Sequence, residues 1–119
     1  MTDPAAAASI NAEWEITPAE VKARLDRRED MLLLDVRTDQ EVDLARIEGS
    51  HHLPMHDLHL RIDEIRAHER RPIVVYCHRG RRSLLVAAAL RRAGFEDVRS
   101  MAGGIDQWSR TIDPSIALY

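Results

Sequence analysis

The stretch Ile73-Val74-Val75-Tyr76-Cys77-His78-Arg79-Gly80-Arg81-Arg82-Ser83-Leu84 decides how this chain folds. Its first four residues form a continuous apolar run opened by Pro72, the pattern of a strand buried on both faces in a parallel sheet. The run stops at the chain's single cysteine, a short loop with one glycine follows, and strong helix formers begin at Ser83. In open parallel sheets, ligands bind in the crevice beyond the carboxyl ends of the strands. A turn of this kind aims successive backbone N–H groups inward as an anion-binding nest, and the positive end of the following helix adds to it. Arg79, Arg81 and Arg82 bring three cations within five residues of the sulfur. All of these features favour a thiolate over a thiol. Cys77 therefore reads as a nucleophile, since a cysteine serving only as a small buried hydrophobe has no use for three nearby arginines.

Outward from this segment the same strand-helix alternation continues. Met31-Leu32-Leu33-Leu34-Asp35-Val36 is a second continuous apolar run. Between the two runs the sequence predicts a short helix over Asp39 to Leu44, a turn at Gly49, an extended piece at His52-Leu53-Pro54, and a longer helix from Asp57 to Ala67. Leu58, Ile62 and Ile65 mark the buried face of that longer helix. Towards the N-terminus, Trp14-Glu15-Ile16 is strand-like and Thr17-Pro18-Ala19-Glu20 is a helix start. There Thr17 is the N-cap, Pro18 occupies the first helical position, and Glu20 closes a capping box. That helix carries Val21 and Leu25 on one face and ends near Arg28. Beyond Cys77 a helix runs through Ser83 to Leu90, with Gly94 as its left-handed stop. A short strand around Val98, a Gly103-Gly104 turn, a last helix from Ile105 to Arg110 and a tail from Asp113-Pro114 complete the pattern. This alternation is that of an α/β fold with a mainly parallel sheet. Residues 13–119 form a single domain, preceded by a flexible leader over 1–12.

Composition agrees with a globule that has a core: 45% of the 119 residues are hydrophobic and 31% charged, which excludes an intrinsically disordered chain. No stretch approaches the roughly 20 apolar residues of a membrane span. The N-terminus lacks a basic flank and offers only Ala5 to Ala8 as an apolar run, too short for a secretory signal, so a cytoplasmic protein is expected. The net charge of −3 is unevenly spread: residues 1–65 carry 15 acidic and 7 basic side chains, whereas residues 66–99 carry 9 basic and 3 acidic. So local a positive field suits a small anionic ligand or an acidic partner patch better than a nucleic acid.

The Cys77 loop is similar to the active-site loop of rhodanese-type sulfurtransferases, which starts with the cysteine and often ends Gly-x-Arg-Ser, here Gly80-Arg81-Arg82-Ser83. Leu33-Leu34-Asp35-Val36-Arg37 resembles the family's Asp-x-Arg strand end, with Glu41 at the position of its following Glu. Leu44 to Ser50 resembles its Gly-His-Ile-Pro-Gly-Ala stretch, although Ala45, Arg46 and Glu48 replace the Gly, His and Pro. Phe95 to Val98 and Met101 to Trp108 resemble its closing strand and Gly-Gly-x-x-x-Trp turn. The resemblance spans about residues 14–112. It implies a rhodanese-like, mainly parallel five-stranded sheet flanked by helices on both faces. It also implies a sulfur transfer in which Cys77 takes sulfane sulfur from thiosulfate or a protein persulfide. The persulfide then passes that sulfur to an acceptor: cyanide in vitro, a thiol or a sulfur-carrier protein in the cell. On the same basis His78, Arg79, Gly80, Arg81, Arg82 and Ser83 form the anion loop, with Arg79 and Arg81 drawing in the donor and Arg82 turned inward. Asp35, Arg37 and Glu41 support the loop, and no metal or organic cofactor is implied.

Other readings meet specific obstacles. Cysteine-dependent phosphatases place an arginine six residues after the cysteine; here that position is Ser83, and the shorter loop suits a single sulfur better than a tetrahedral phosphate. A binding module without catalysis usually lacks the cysteine. A protein-partnered relay, loaded by a cysteine desulfurase or serving a sulfur carrier, stays open, because the tail from Ile112 to Tyr119 looks like the end of rhodanese domains fused to adenylating enzymes. His51, His52, His56 and His59 read as solvated loop histidines, because Pro54 interrupts the helical spacing of His52 and His56 and no cysteine or carboxylate set completes a zinc site. His78 is expected at the pocket rim, pointing outward.

Overall fold

The structure, a computed structural model, describes residues 10–119; most of the expected leader, residues 1–9, lies outside the described residues. The strands are β1 (Glu15–Ile16), β2 (Leu32–Asp35), β3 (His51–His52), β4 (Ile73–Tyr76) and β5 (Val98–Met101). They pair in the order β1-β5-β4-β2-β3, and every pairing is parallel. The two runs that looked buried on both faces, β2 and β4, lie side by side, with Leu34 opposite Val75 and Asp35 opposite Tyr76.

Alternation along β4 divides the core into two layers. Ile73, Val75 and Cys77 face one side, where Leu34, Val36, Ile65, Val86, Leu90 and Phe95 close over them. Val74 and Tyr76 face the other, against Val21, Leu33, Met101, Ile105 and Trp108. Helix α1 (Pro18–Asp26) and the C-terminal helix Gly104–Thr111 cover this second face. The first face is covered by residues 55–68 and the helix Arg81–Arg92. Apolar burial on both faces explains why neither central strand alternates polar with apolar residues. No helix among the described residues is long and apolar enough to cross a membrane.

Two local expectations change. The single helix expected over Asp57 to Ala67 is a 3-10 turn (Met55–Asp57), one α-helical turn, α3 (Leu58–Arg61), and a 3-10 segment (Ile62–His68). Three residues per turn brings Ile62 and Ile65 into line, and only Ile65 is fully buried, so a narrow apolar line satisfies this segment. The capping box expected at Thr17 is half formed. Thr17 accepts the Glu20 N–H at 3.2 Å, but the Glu20 carboxylate turns to Arg24 instead. A complete box forms at the next helix, α2 (Asp39–Leu44), between Thr38 and Glu41.

Candidate active site

Cys77 follows β4 directly and is 1% exposed. Gly80 adopts a left-handed conformation, φ 100°, and the helix α4 (Arg81–Arg92) starts at the next residue. This is two residues earlier than the sequence suggests, and the sulfur explains it. No side chain of the capping residue Gly80 closes the helix. Instead Cys77 Sγ accepts the N–H of Gly80 at 3.1 Å and that of Ser83 at 3.4 Å. The sulfur thus occupies the position of a helix cap and sits at the positive end of the α4 dipole. The Ser83 hydroxyl lies 3.4 Å from the sulfur and 2.6 Å from the Ser100 hydroxyl, and both serines are fully buried. Buried hydroxyls need partners, and here the partners are one another and the sulfur.

The loop's peptide planes are held from behind by α5 (Gly104–Thr111). Ile105 N–H donates to the Cys77 carbonyl at 2.9 Å and Asp106 N–H to the His78 carbonyl at 3.0 Å. In a trans peptide the following N–H points opposite to its carbonyl, so this engagement turns the loop's amides away from α5. The approach requires glycine: a Cβ on Gly104 would lie 2.4 Å from the His78 carbonyl oxygen and 2.6 Å from that of Cys77.

An ion network flanks the loop. Arg37 is completely buried and meets Asp35 through Nε at 2.9 Å and Nη2 at 2.7 Å. Nη2 also donates to the Ala45 carbonyl, and Nη1 donates to the Glu41 carbonyl and to the Tyr119 hydroxyl. Burial alone would weaken the Arg37 charge, but the hydrogen bonds to Asp35 and Tyr119 outweigh it and raise its pKa above the ordinary value. Glu41 receives both Nη atoms of Arg82, at 2.5 and 2.8 Å. The Thr38 backbone N–H and hydroxyl and the Tyr119 hydroxyl also donate to it. The Arg82 guanidinium, against the opposing pull of partial burial, holds the Glu41 carboxyl well below the usual carboxylate range, with Tyr119 adding to the effect.

The structure therefore gathers Asp35, Arg37, Glu41 and Arg82 beside the Cys77 loop, with Arg82 turned towards Glu41. Arg79 and Arg81 are exposed, and neither forms an ion pair among the described residues. His78 is a correction: its ring is stacked on that of Tyr119, centroids 4.0 Å apart and planes 12° from parallel, so it does not stand free at the rim. The histidines upstream go to separate partners: His51 to Glu64, His52 to the Arg37 carbonyl and His56 to Asp57. Sequence reasoning missed Ser100 and the contacts of Tyr119. Ser100 carried a signal, a small polar residue two positions after Val98 and so on the same buried face of the short strand. Tyr119 carried none, because its partners lie 82 and 78 residues away.

A doubly covered, all-parallel sheet whose central strand ends in an amide-cradled cysteine at a helix N-terminus defines a class of α/β proteins. Comparison with known proteins places the chain within that class: residues 17–111 match the rhodanese-like domain, and the chain belongs to that family. A sulfurtransferase of Allochromatium vinosum is 37% identical over 103 residues, which cover 87% of this chain and 94% of that protein. The probable adenylyltransferase/sulfurtransferase MoeZ of Mycobacterium tuberculosis is 33% identical over 104 residues, 87% of this chain. The chain spans only about a quarter of that longer relative, 26% of its length. A solved structure of thiosulfate sulfurtransferase from Pseudomonas aeruginosa superimposes with a TM-score of 0.73 at 30% identity, covering 83% of this chain and 19% of that one.

Proposed function

We propose that this protein is a sulfurtransferase that carries sulfane sulfur as a persulfide on Cys77. The observation that carries this reading is the cradle itself: the sulfur accepts the Gly80 and Ser83 N–H groups at the N-terminus of α4. Such donors stabilise a sulfur anion both before and after it gains a second sulfur.

With thiosulfate as donor, the Cys77 thiolate attacks the outer sulfur. A new S–S bond forms, the bond to the sulfonate sulfur breaks, and sulfite leaves with the electron pair. An acceptor thiolate or cyanide then attacks the outer sulfur of the persulfide and returns Cys77 as thiolate. Arg79 and Arg81, exposed and unpaired among the described residues, attract the anionic donor. Arg82, Asp35, Arg37 and Glu41 hold the loop in shape. No step calls for a metal or an organic cofactor. The phosphatase alternative asks for an arginine over the bound anion, whereas Arg82 is committed to Glu41.

In the cell the acceptor is a thiol or a sulfur-carrier protein, and the compartment is the cytoplasm. Likeness to the adenylyltransferase/sulfurtransferase MoeZ favours a second reading, a protein-partnered relay, whose donor would be a protein persulfide such as that of a cysteine desulfurase. Initial rates with thiosulfate and cyanide varied together test the reading. Parallel double-reciprocal lines are expected of covalent catalysis, with no turnover by Cys77→Ser. Intersecting lines, or a serine variant that keeps its activity, would refute it.

A further inference from the structure

We propose that Tyr119 is a positioning residue for the Cys77 loop, clamping one end through His78 and the other through Glu41 and Arg82; the claim rests on the sulfurtransferase reading above. The two ends are separate. His78 directly follows the nucleophile, and Arg82 lies in the first turn of α4. Tyr119 reaches both: its ring stacks on His78, and its hydroxyl donates to Glu41 at 2.7 Å. That carboxylate in turn fixes both nitrogens of Arg82.

The hydroxyl also completes a buried account of donors and acceptors. A guanidinium has five N–H donors. Two of those of Arg37 go to Asp35, one to the Ala45 carbonyl and one to the Glu41 carbonyl; the Tyr119 hydroxyl accepts the fifth at 3.0 Å. One neutral hydroxyl thus joins the buried Asp35–Arg37 pair to the Glu41–Arg82 pair, through hydrogen bonds that are charge-assisted on both sides. Burial, opposed by the Arg37 hydrogen bond and aided by the Glu41 carboxylate it donates to, pushes the Tyr119 phenol up to about 12. Tyr119 lies beyond the tail's packing contact at Ile116, whose carbonyl accepts the Ser109 hydroxyl at 2.5 Å. Tyr119 also packs on the second core layer beside Ile112 and Ile116, so the ring-keeping Phe variant controls for lost packing.

The test compares Tyr119→Phe, which keeps the ring, with Tyr119→Ala, which loses ring and hydroxyl. Single-turnover sulfur loading from thiosulfate is followed by intact mass, alkylation of Cys77 by iodoacetamide reports on the loop, and thermal melting reports on the fold. A reacting group misplaced by a fraction of an ångström loses rate steeply, so Tyr119→Ala should load about tenfold more slowly, with Tyr119→Phe in between. Alkylation should move the other way, accelerating as the buried sulfur is uncovered; both variants should melt lower, because each leaves one donor of buried Arg37 unpaired, so rates are compared well below both melting points. The difference between the Phe and Ala variants should vanish in a His78→Ala background, because the ring acts through His78. Loading of Tyr119→Ala within about twofold of wild type, or a Phe–Ala difference that survives His78→Ala, would overturn the clamp. Should wild type fail to load sulfur at all, the sulfurtransferase reading falls. The clamp is then judged on alkylation alone, and rates unchanged in both variants would refute it.

Discussion

A cysteine sulfur in the place of a helix cap is the residue-scale fact on which the site depends. The Gly80 and Ser83 amides that a serine or aspartate side chain would ordinarily satisfy are given to Cys77. This much was legible in the sequence, because a buried run ending at cysteine, one glycine and three arginines admit few geometries. The carboxylate side of the network was legible as a set, Asp35, Arg37 and Glu41, without its division of labour. In the structure Asp35 serves Arg37, whereas Glu41 serves Arg82. The pH dependence follows from Glu41. Its folded pKa is depressed, so the stability it contributes is complete above its unfolded value near 4.5 and is lost as pH falls through the lower folded value. Glu41→Gln should therefore melt below wild type at neutral pH, and the gap should narrow as pH drops from about 5 towards 2. Melting temperatures across that range check this; a gap that stays constant would mean that Glu41 charge is not what stabilises the loop.

At the scale of elements, the contact between the loop and α5 is what aims the loop's amides. Gly104 combines φ 61° with carbonyl oxygens where a Cβ would go. Gly94 has φ 99° but open space around it. Alanine at either position incurs backbone strain of roughly 1–2 kcal/mol. At Gly104 the clash with the Cys77 and His78 carbonyls should add roughly 1–3 kcal/mol and remove most sulfur transfer, while Gly94→Ala keeps its activity. Urea denaturation and turnover of the pair decide it, and equal losses would deny the turn any part in shaping the loop. Segment 55–68 shows where sequence patterning falls short at this scale. Leu58, Ile62 and Ile65 are compatible with either helix type, and burial against the sheet, which no local spacing encodes, selects the 3-10 form over most of the segment.

At the scale of the molecule, the two continuous apolar runs made the parallel sheet and its double cover legible, since only a strand buried on both faces discards alternation. The return of the tail to the loop was not legible, because closure over such sequence distances depends on the assembled fold. Charge follows the same layout. The basic segment 66–99 contains the Cys77 loop and α4, and Arg79 and Arg81 stay unpaired at its exposed edge among the described residues. Arg81→Ala should raise the KM for thiosulfate several-fold and weaken loading from a protein persulfide less, because a small dianion depends more on the local field. Steady-state kinetics with both donors test this, and equal losses would count against electrostatic steering.

Whether Cys77 carries sulfur is read by intact-mass spectrometry of the reduced protein after brief exposure to thiosulfate. Wild type should gain one sulfur atom that cyanide or a thiol removes, and Cys77→Ser should gain none. No gain on wild type, either from thiosulfate or from a cysteine-desulfurase persulfide, would contradict the Cys77 persulfide.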